Sequence, residues 1–158
     1  MIKKEFIYLN NELTSRNEII KNMSEDVFKT GMINDVDTYV NAVLKREEVF
    51  PTTVGFNVSI PHGKSDAVIS PFVTFMRTKE PIIWDENNKE KAQLIFMIGV
   101  PMDQKDKLHL KILAEISKNL MNENFRSSLL EAETVNEAYQ LLKCIEENIY
   151  AEEMGNVK

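Results

Sequence analysis

The sequence predicts a layered α/β protein with a mixed β-sheet. Two observations carry that prediction. Strand-like runs are interspersed with amphipathic helical segments along the chain. The most apolar run, Leu94-Ile95-Phe96-Met97-Ile98-Gly99-Val100, has the length and the β-branched and aromatic content of a strand at a sheet centre. At 158 residues the chain is sized for one domain, read as residues 1–150 followed by a polar tail over 151–158. A chain of this length buries roughly 68–70% of its unfolded surface, so its core needs neither disulfide nor metal.

The elements follow in order. Residues 5–9 read as a first strand. Ser15-Arg16-Asn17-Glu18 is a capping box opening a helix, with Ile19, Ile20, Met23 and Val27 on its apolar face and Gly31 just past its end. A second helix starts near Asp35 and turns Val36, Tyr39, Val40, Val43 and Leu44 inward. Arg46, three residues beyond Val43, is expected to extend that inward face. Residues 56–60 alternate apolar and polar, a half-buried strand that must stop at Pro61 for want of an N–H. Gly63 then lets the backbone turn sharply or a ligand approach closely. His62 is thereby presented on a constrained strand end.

Residues 71–76 read as the next strand, Ile82-Ile83-Trp84 as a short separate piece, and 85–91 as a charged loop before the central strand at 93–99. A helix from about 105 to 121 carries the stripe Ile112, Leu113, Ile116 and Leu120, and a shorter one covers 122–131. Thr134-Val135-Asn136-Glu137 is a second capping box, opening a last helix with Ala138, Tyr139, Leu142, Ile145 and Ile149 inward.

Composition narrows the function classes. Nineteen Lys and Arg against 25 Asp and Glu give a net charge of −6, which argues against a nucleic-acid partner. The N-terminal residues lack the apolar core of a signal peptide, and no run approaches the ~20 apolar residues of a bilayer span. The single cysteine, Cys144, precludes an internal disulfide and fits a reducing cytoplasm. It lies mid-helix beside Leu141 and Ile145 and is read as packing.

Three residues could do chemistry. His62 is either a functional imidazole or a plain turn histidine. His109 precedes Ile112, Leu113 and Ile116 at helical spacing, so it points inward, as a hydrogen-bonded core histidine or as a second imidazole lining the cavity of His62. Arg46, at the end of an inward face, calls for an anion unless it is solvated or paired with Glu47 or Glu48. Together they suggest a phosphoryl site. A neutral imidazole is a nucleophile near pH 7, and phosphoryl transfer needs positioning and donors around the equatorial oxygens. The chain has no G-x-x-x-x-G-K-[ST] loop for ATP, no C-x-x-C or H-x-x-x-H for a metal, and no G-x-S-x-G elbow. No cofactor or metal is therefore expected.

At five ordered segments the chain resembles the type-2 enzyme IIA components, fructose–mannitol class, of the bacterial phosphoenolpyruvate:sugar phosphotransferase system. They are Lys45-Arg46-Glu47, Pro51-Thr52-Thr53-Val54-Gly55, the stretch from Ser59 through Ile60-Pro61-His62-Gly63-Lys64 to Val68, the run from Leu94 to Pro101, and His109-Leu110-Lys111-Ile112-Leu113-Ala114. The second and third of the longer segments look most like fructose-type members. The resemblance implies a mixed sheet flanked by helices on both faces. It implies that His62 takes a phosphoryl group from the phosphocarrier HPr on Nε2 and passes it to a cysteine of a IIB component, which phosphorylates the sugar entering through the membrane component IIC. It also implies that His109 and Arg46 assist. The chain lacks a C-x5-R loop and a membrane segment of its own, so donor and acceptor are expected to be other proteins. Phe56, Val68 and Phe72 are candidates for an apolar docking patch. The alternative is a regulatory module, like those of the nitrogen-related branch, in which phosphorylation controls partner binding.

Overall fold

The computed structural model describes residues 1–155, and the side chains of all of these except 104–106 and 152–155. The chain runs β1 (Ile7–Asn11), α1 (Arg16–Lys29), α2 (Val36–Val49), β2 (Thr53–Gly55), β3 (Val58–Ser59), β4 (His62–Ser65), β5 (Phe72–Asp85), β6 (Glu90–Pro101), α3 (Lys105–Leu120), α4 (Glu123–Glu131) and α5 (Val135–Gly155). The strands form one mixed six-stranded sheet in the order β1-β5-β6-β3-β2, with β4 also paired to β6. Residues 156–158, the end of the segment read as a polar tail, lie outside the described residues.

The expected central strand is central. β6 pairs antiparallel with β5 on one side and parallel with β3 and β4 on the other. Its side chains alternate between two cores. Leu94, Phe96, Ile98 and Val100 face Ile112, Ile116 and Leu120 of α3 and Leu142, Ile145 and Ile149 of α5. Ile95 and Met97 face Ile19, Ile20, Met23 and Val27 of α1 and Tyr39 and Val43 of α2. Period-two alternation along a strand covered on both faces makes every position apolar, which is why this run reads as continuously hydrophobic. Helices thus flank both faces of the sheet.

Several boundaries differ from the sequence reading, each for a local reason. The first strand begins at Ile7, after a single turn of 3-10 helix over Lys4–Phe6. Phe56 and Asn57 are not strand: both have left-handed backbone, φ 56° and 58°, and form the turn between β2 and β3. The Arg126 guanidinium stacks over the Phe56 ring at 3.8 Å and holds the turn against α4. Ile82, Ile83 and Trp84 are not a separate piece but the far half of β5, which forms a long hairpin with β6. The charged loop shrinks to a turn over 86–89, where the Asp85 carboxylate accepts the N–H groups of Asn87 and Asn88.

The helix ends follow their caps. Ser15 Oγ accepts the Glu18 N–H, and Gly31 follows α1 with φ 81°. Asn122 Oδ1 accepts the N–H groups of Asn124 and Phe125. Thr134 Oγ1 accepts the Glu137 N–H, while the Glu137 carboxylate reaches back to the N–H of Glu133, one residue before the usual partner. Among the described residues no helix is long and apolar enough to cross a membrane.

Gly99 is fixed by packing. A Cβ there would stand 2.3 Å from the Phe72 ring, whose edge contacts run to Phe6 and Tyr39. The Gly99→Ala variant is expected to lose about 1–3 kcal/mol through overpacking, read as a lower urea midpoint at unchanged slope. An unchanged midpoint would show that Phe72 can move aside.

Candidate functional site

Residues 58–65 lie along β6 as one interrupted strand. Val58 and Ser59 pair with Leu94 and Ile95, and His62 to Ser65 pair with Ile98 to Pro101, with no slip of register between the two pieces. Pro61 lies in the break after β3, as the sequence suggests, but β4 resumes in the same register beyond it. Lacking an N–H it cannot donate, but its carbonyl still accepts the N–H of Ile98 at 3.0 Å. His62 is therefore the first residue of a strand in register with β6, where successive side chains take opposite faces.

Gly63 does something other than turn. A Cβ on it would lie 3.1 Å from a Val43 methyl and 3.3 Å from the Ala42 methyl, so the glycine lets α2 lie directly on β4. The close approach expected of a ligand is made by a helix. With Gly63 against α2, His62 turns to the other face, toward α3. There His109 is buried at 6% exposure, and the two imidazole centroids are 4.7 Å apart with planes tilted by 52°.

The His62 ring is half-buried and oriented by its own strand. Its Nδ1 lies 2.8 Å from the Ile60 carbonyl oxygen. A carbonyl can only accept, so Nδ1 carries the proton and the lone pair of the neutral ring sits on Nε2. Burial lowers the His62 pKa from its usual value. The bond to Ile60 and the Glu47 carboxylate pull the other way, and the positive charges of Arg46 and Lys64 add to the lowering. The lowered pKa favours the neutral ring.

Arg46 does not extend the inward face of α2. It is partly exposed, and its Nη1 donates to the Phe50 carbonyl at 2.7 Å, capping the end of the helix. The inward row continues instead from Tyr39 and Val43 to Glu47, at 4% exposure. The Glu47 carboxylate accepts the Thr52 N–H at 3.2 Å, the Trp84 indole N–H at 3.2 Å, and a short bond from the Thr52 hydroxyl. Sequence reading missed this residue. The i, i+4, i+8 spacing of Tyr39, Val43 and Glu47 signals it, but a charged side chain suggests the solvent face unless its partners are known. Arg46 still acts electrostatically on His62.

Of the proposed patch residues, Phe56 is exposed, whereas Val68 and Phe72 are core residues at 4% and 0% exposure. The exposed apolar residues are instead Val49 and Phe50 at the end of α2, Val54 and Phe56 on the β2–β3 hairpin, Leu110 next to His109, and Met121 just past the far end of α3. Val54, Phe56, Leu120 and Met121 line a shallow hollow of about 120 Å³. Cys144 is exposed rather than packed, with its thiol donating to the Leu141 carbonyl.

Comparison with known proteins points one way. Residues 1–144 match the family described as "Phosphoenolpyruvate-dependent sugar phosphotransferase system, EIIA 2". The chain is 38% identical over 130 residues to the fructose-specific EIIA component of the phosphotransferase system from Haloferax volcanii, covering 82% of this chain and 84% of that one. Its fold is shared with the nitrogen regulatory protein IIA-Ntr from Neisseria meningitidis, at TM-score 0.78 and 24% identity over 89% of this chain and 95% of that one. It is also shared with the mannitol enzyme IIA of Escherichia coli solved in complex with phosphorylated mannitol enzyme IIB, at TM-score 0.76 and 24% identity, covering 90% and 99%.

The His62 geometry predicts a titration. In ring-resolved NMR the midpoint of His62 should fall below its ordinary value of 6.5. Because the folded pKa is lowered, the contribution of His62 to stability is present above pH 6.5 and is lost as the pH falls toward the folded value. A midpoint at or above 6.5 would mean that the ring is not desolvated as described.

Proposed function

We propose that this chain, which belongs to the EIIA 2 family of the phosphoenolpyruvate-dependent sugar phosphotransferase system, carries a phosphoryl group on Nε2 of His62. It receives the group from the phosphocarrier HPr and passes it to a cysteine of a cognate IIB component during sugar uptake through IIC. Fructose-type sugars are the preferred cargo of that route, in line with the 38% identical relative. The protein works in the cytoplasm and uses no cofactor. The observation that carries the reading is the bond from His62 Nδ1–H to the Ile60 carbonyl, which leaves Nε2 as the nucleophilic nitrogen.

The chemistry balances over two displacements. The Nε2 lone pair attacks phosphorus, a P–N bond forms, and the bond from phosphorus to the donor breaks with its electron pair leaving on the donor. The product ring bears phosphorus on Nε2 and hydrogen on Nδ1, so it is cationic, and the Ile60 carbonyl stabilises it as acceptor of a charge-assisted bond. A thiolate of the acceptor then attacks phosphorus, and the electron pair of the P–Nε2 bond returns to His62. His109, one ring-width away, and the remaining N–H groups of Arg46 supply donors to the phosphoryl oxygens. The exposed Leu110, next to His109, and Val49 and Phe50, just beyond Arg46, give both protein partners an apolar landing on this side. A mannitol enzyme IIA of the same fold has been solved with its phosphorylated IIB, which supports a IIB partner.

The test is labelling by phosphoenolpyruvate, enzyme I and HPr. An acid-labile phosphate should map to His62, and His62→Ala should abolish it. The His109→Ala variant should keep the fold and slow transfer by about 10- to 100-fold, the value of one or two charge-assisted donor bonds. Absence of label on His62 would defeat the proposal. Labelling of His62 with no onward transfer to any IIB would replace the transport role by a regulatory one.

A further inference from the structure

Thr52 and Ile60 stand opposite each other where β2 meets β3. The Ile60 N–H donates to the Thr52 carbonyl at 3.0 Å, which is one half of an antiparallel hydrogen-bonded pair. Such a pair normally exchanges two bonds, the second running from the Thr52 N–H to the Ile60 carbonyl. Here the second bond is replaced. The Thr52 N–H goes to Glu47 Oε2 at 3.2 Å, and the Ile60 carbonyl takes Nδ1 of His62 at 2.8 Å.

We infer that Glu47 is a positioning residue for His62: by holding the N–H of Thr52, it keeps the Ile60 carbonyl open as the acceptor that fixes the His62 tautomer. The surroundings fit this role. The carboxylate is buried, and the Thr52 hydroxyl and the Trp84 indole N–H also donate to it, so its partners are in place without His62 or the phosphoryl group. Three donors fix its place, and a buried carboxylate so satisfied is held rigidly. Besides its electrostatic pull on the imidazole, it reaches the ring through one residue, Thr52, and one carbonyl, that of Ile60.

Without the carboxylate, Thr52 can close its pair with Ile60. Its N–H then shares that oxygen with Nδ1–H, which weakens and redirects the bond to the ring and raises the population of the tautomer protonated on Nε2, which has no lone pair there for phosphorus. This inference rests on His62 Nε2 being the phosphoryl acceptor, but its main readout does not need phosphorylation.

The experiment is 15N NMR of the His62 ring above its titration, in the unmodified full chain. The wild type should show the Nδ1–H form. Glu47→Ala should populate the Nε2–H form and slow phosphoryl acceptance from HPr by about 10- to 100-fold, the effect of losing bonds to one charged group. Glu47→Gln, which keeps the volume and offers one acceptor to three donors, should shift the tautomer the same way to a smaller extent. Trp84→Phe removes a bond to Glu47 but none to Thr52, and should leave the tautomer as in the wild type. If Glu47→Ala and Glu47→Gln both keep the Nδ1–H form, Glu47 is only structural and the inference fails. If Glu47→Ala does not fold, Glu47→Gln alone decides. A wild type that shows the Nδ1–H form but takes no phosphate would defeat the proposed function and leave this inference standing.

Discussion

The site depends on the way residues 58–65 are laid along β6. Two short strands share one register on the central strand, and the two-residue gap between them, Ile60 and Pro61, includes a proline that accepts but cannot donate. That arrangement decides which way each side chain faces. His62 turns toward α3 and meets His109, while Gly63 turns toward α2 and admits it to contact. A residue larger than glycine would push α2 outward, and with it Glu47 and Arg46. A slip of one residue would exchange the faces and place the imidazole under α2.

The two cores have distinct tasks. The α1–α2 core holds Tyr39, Val43 and Trp84, and Tyr39 donates to the Ile98 carbonyl at 2.7 Å, tying α2 to the strand that carries His62. The α3–α5 core brings His109 to the opposite face. The imidazole pair is thus assembled from a strand and a helix held on rigid supports, with the sheet fixing the distance between them. Functional groups mounted on such elements keep their geometry better than groups on loops.

Much of this was legible in the sequence, and the failures have physical causes. The central strand could be read because burial on both faces makes it apolar throughout, and two of the helices because Ser15 and Thr134 cap them. His109 could be placed inward from its spacing to Ile112 and Ile116. The resumption of the strand at His62 escaped the sequence because proline and glycine look like punctuation when the neighbour is unknown. Pro61 interrupts a ladder whose register continues, and Gly63 answers to Val43 and Ala42, contacts no local pattern reveals. Glu47 was invisible for the same reason: burial of a carboxylate depends on Thr52 and on Trp84, the latter on a distant strand. Arg46 was read one position out of phase, since the inward row steps by four from Tyr39 and Val43 to Glu47.

The central claim is that the Ile60 carbonyl holds the proton of His62 on Nδ1 and so assigns the phosphoryl group to Nε2. It is tested most directly by 31P–15N correlation in the phosphorylated, ring-labelled protein. The account predicts phosphorus coupled to Nε2 of His62, with a slowly exchanging proton on Nδ1. Phosphorus coupled to Nδ1 would contradict it, because the hydrogen bond to Ile60 would then have no donor.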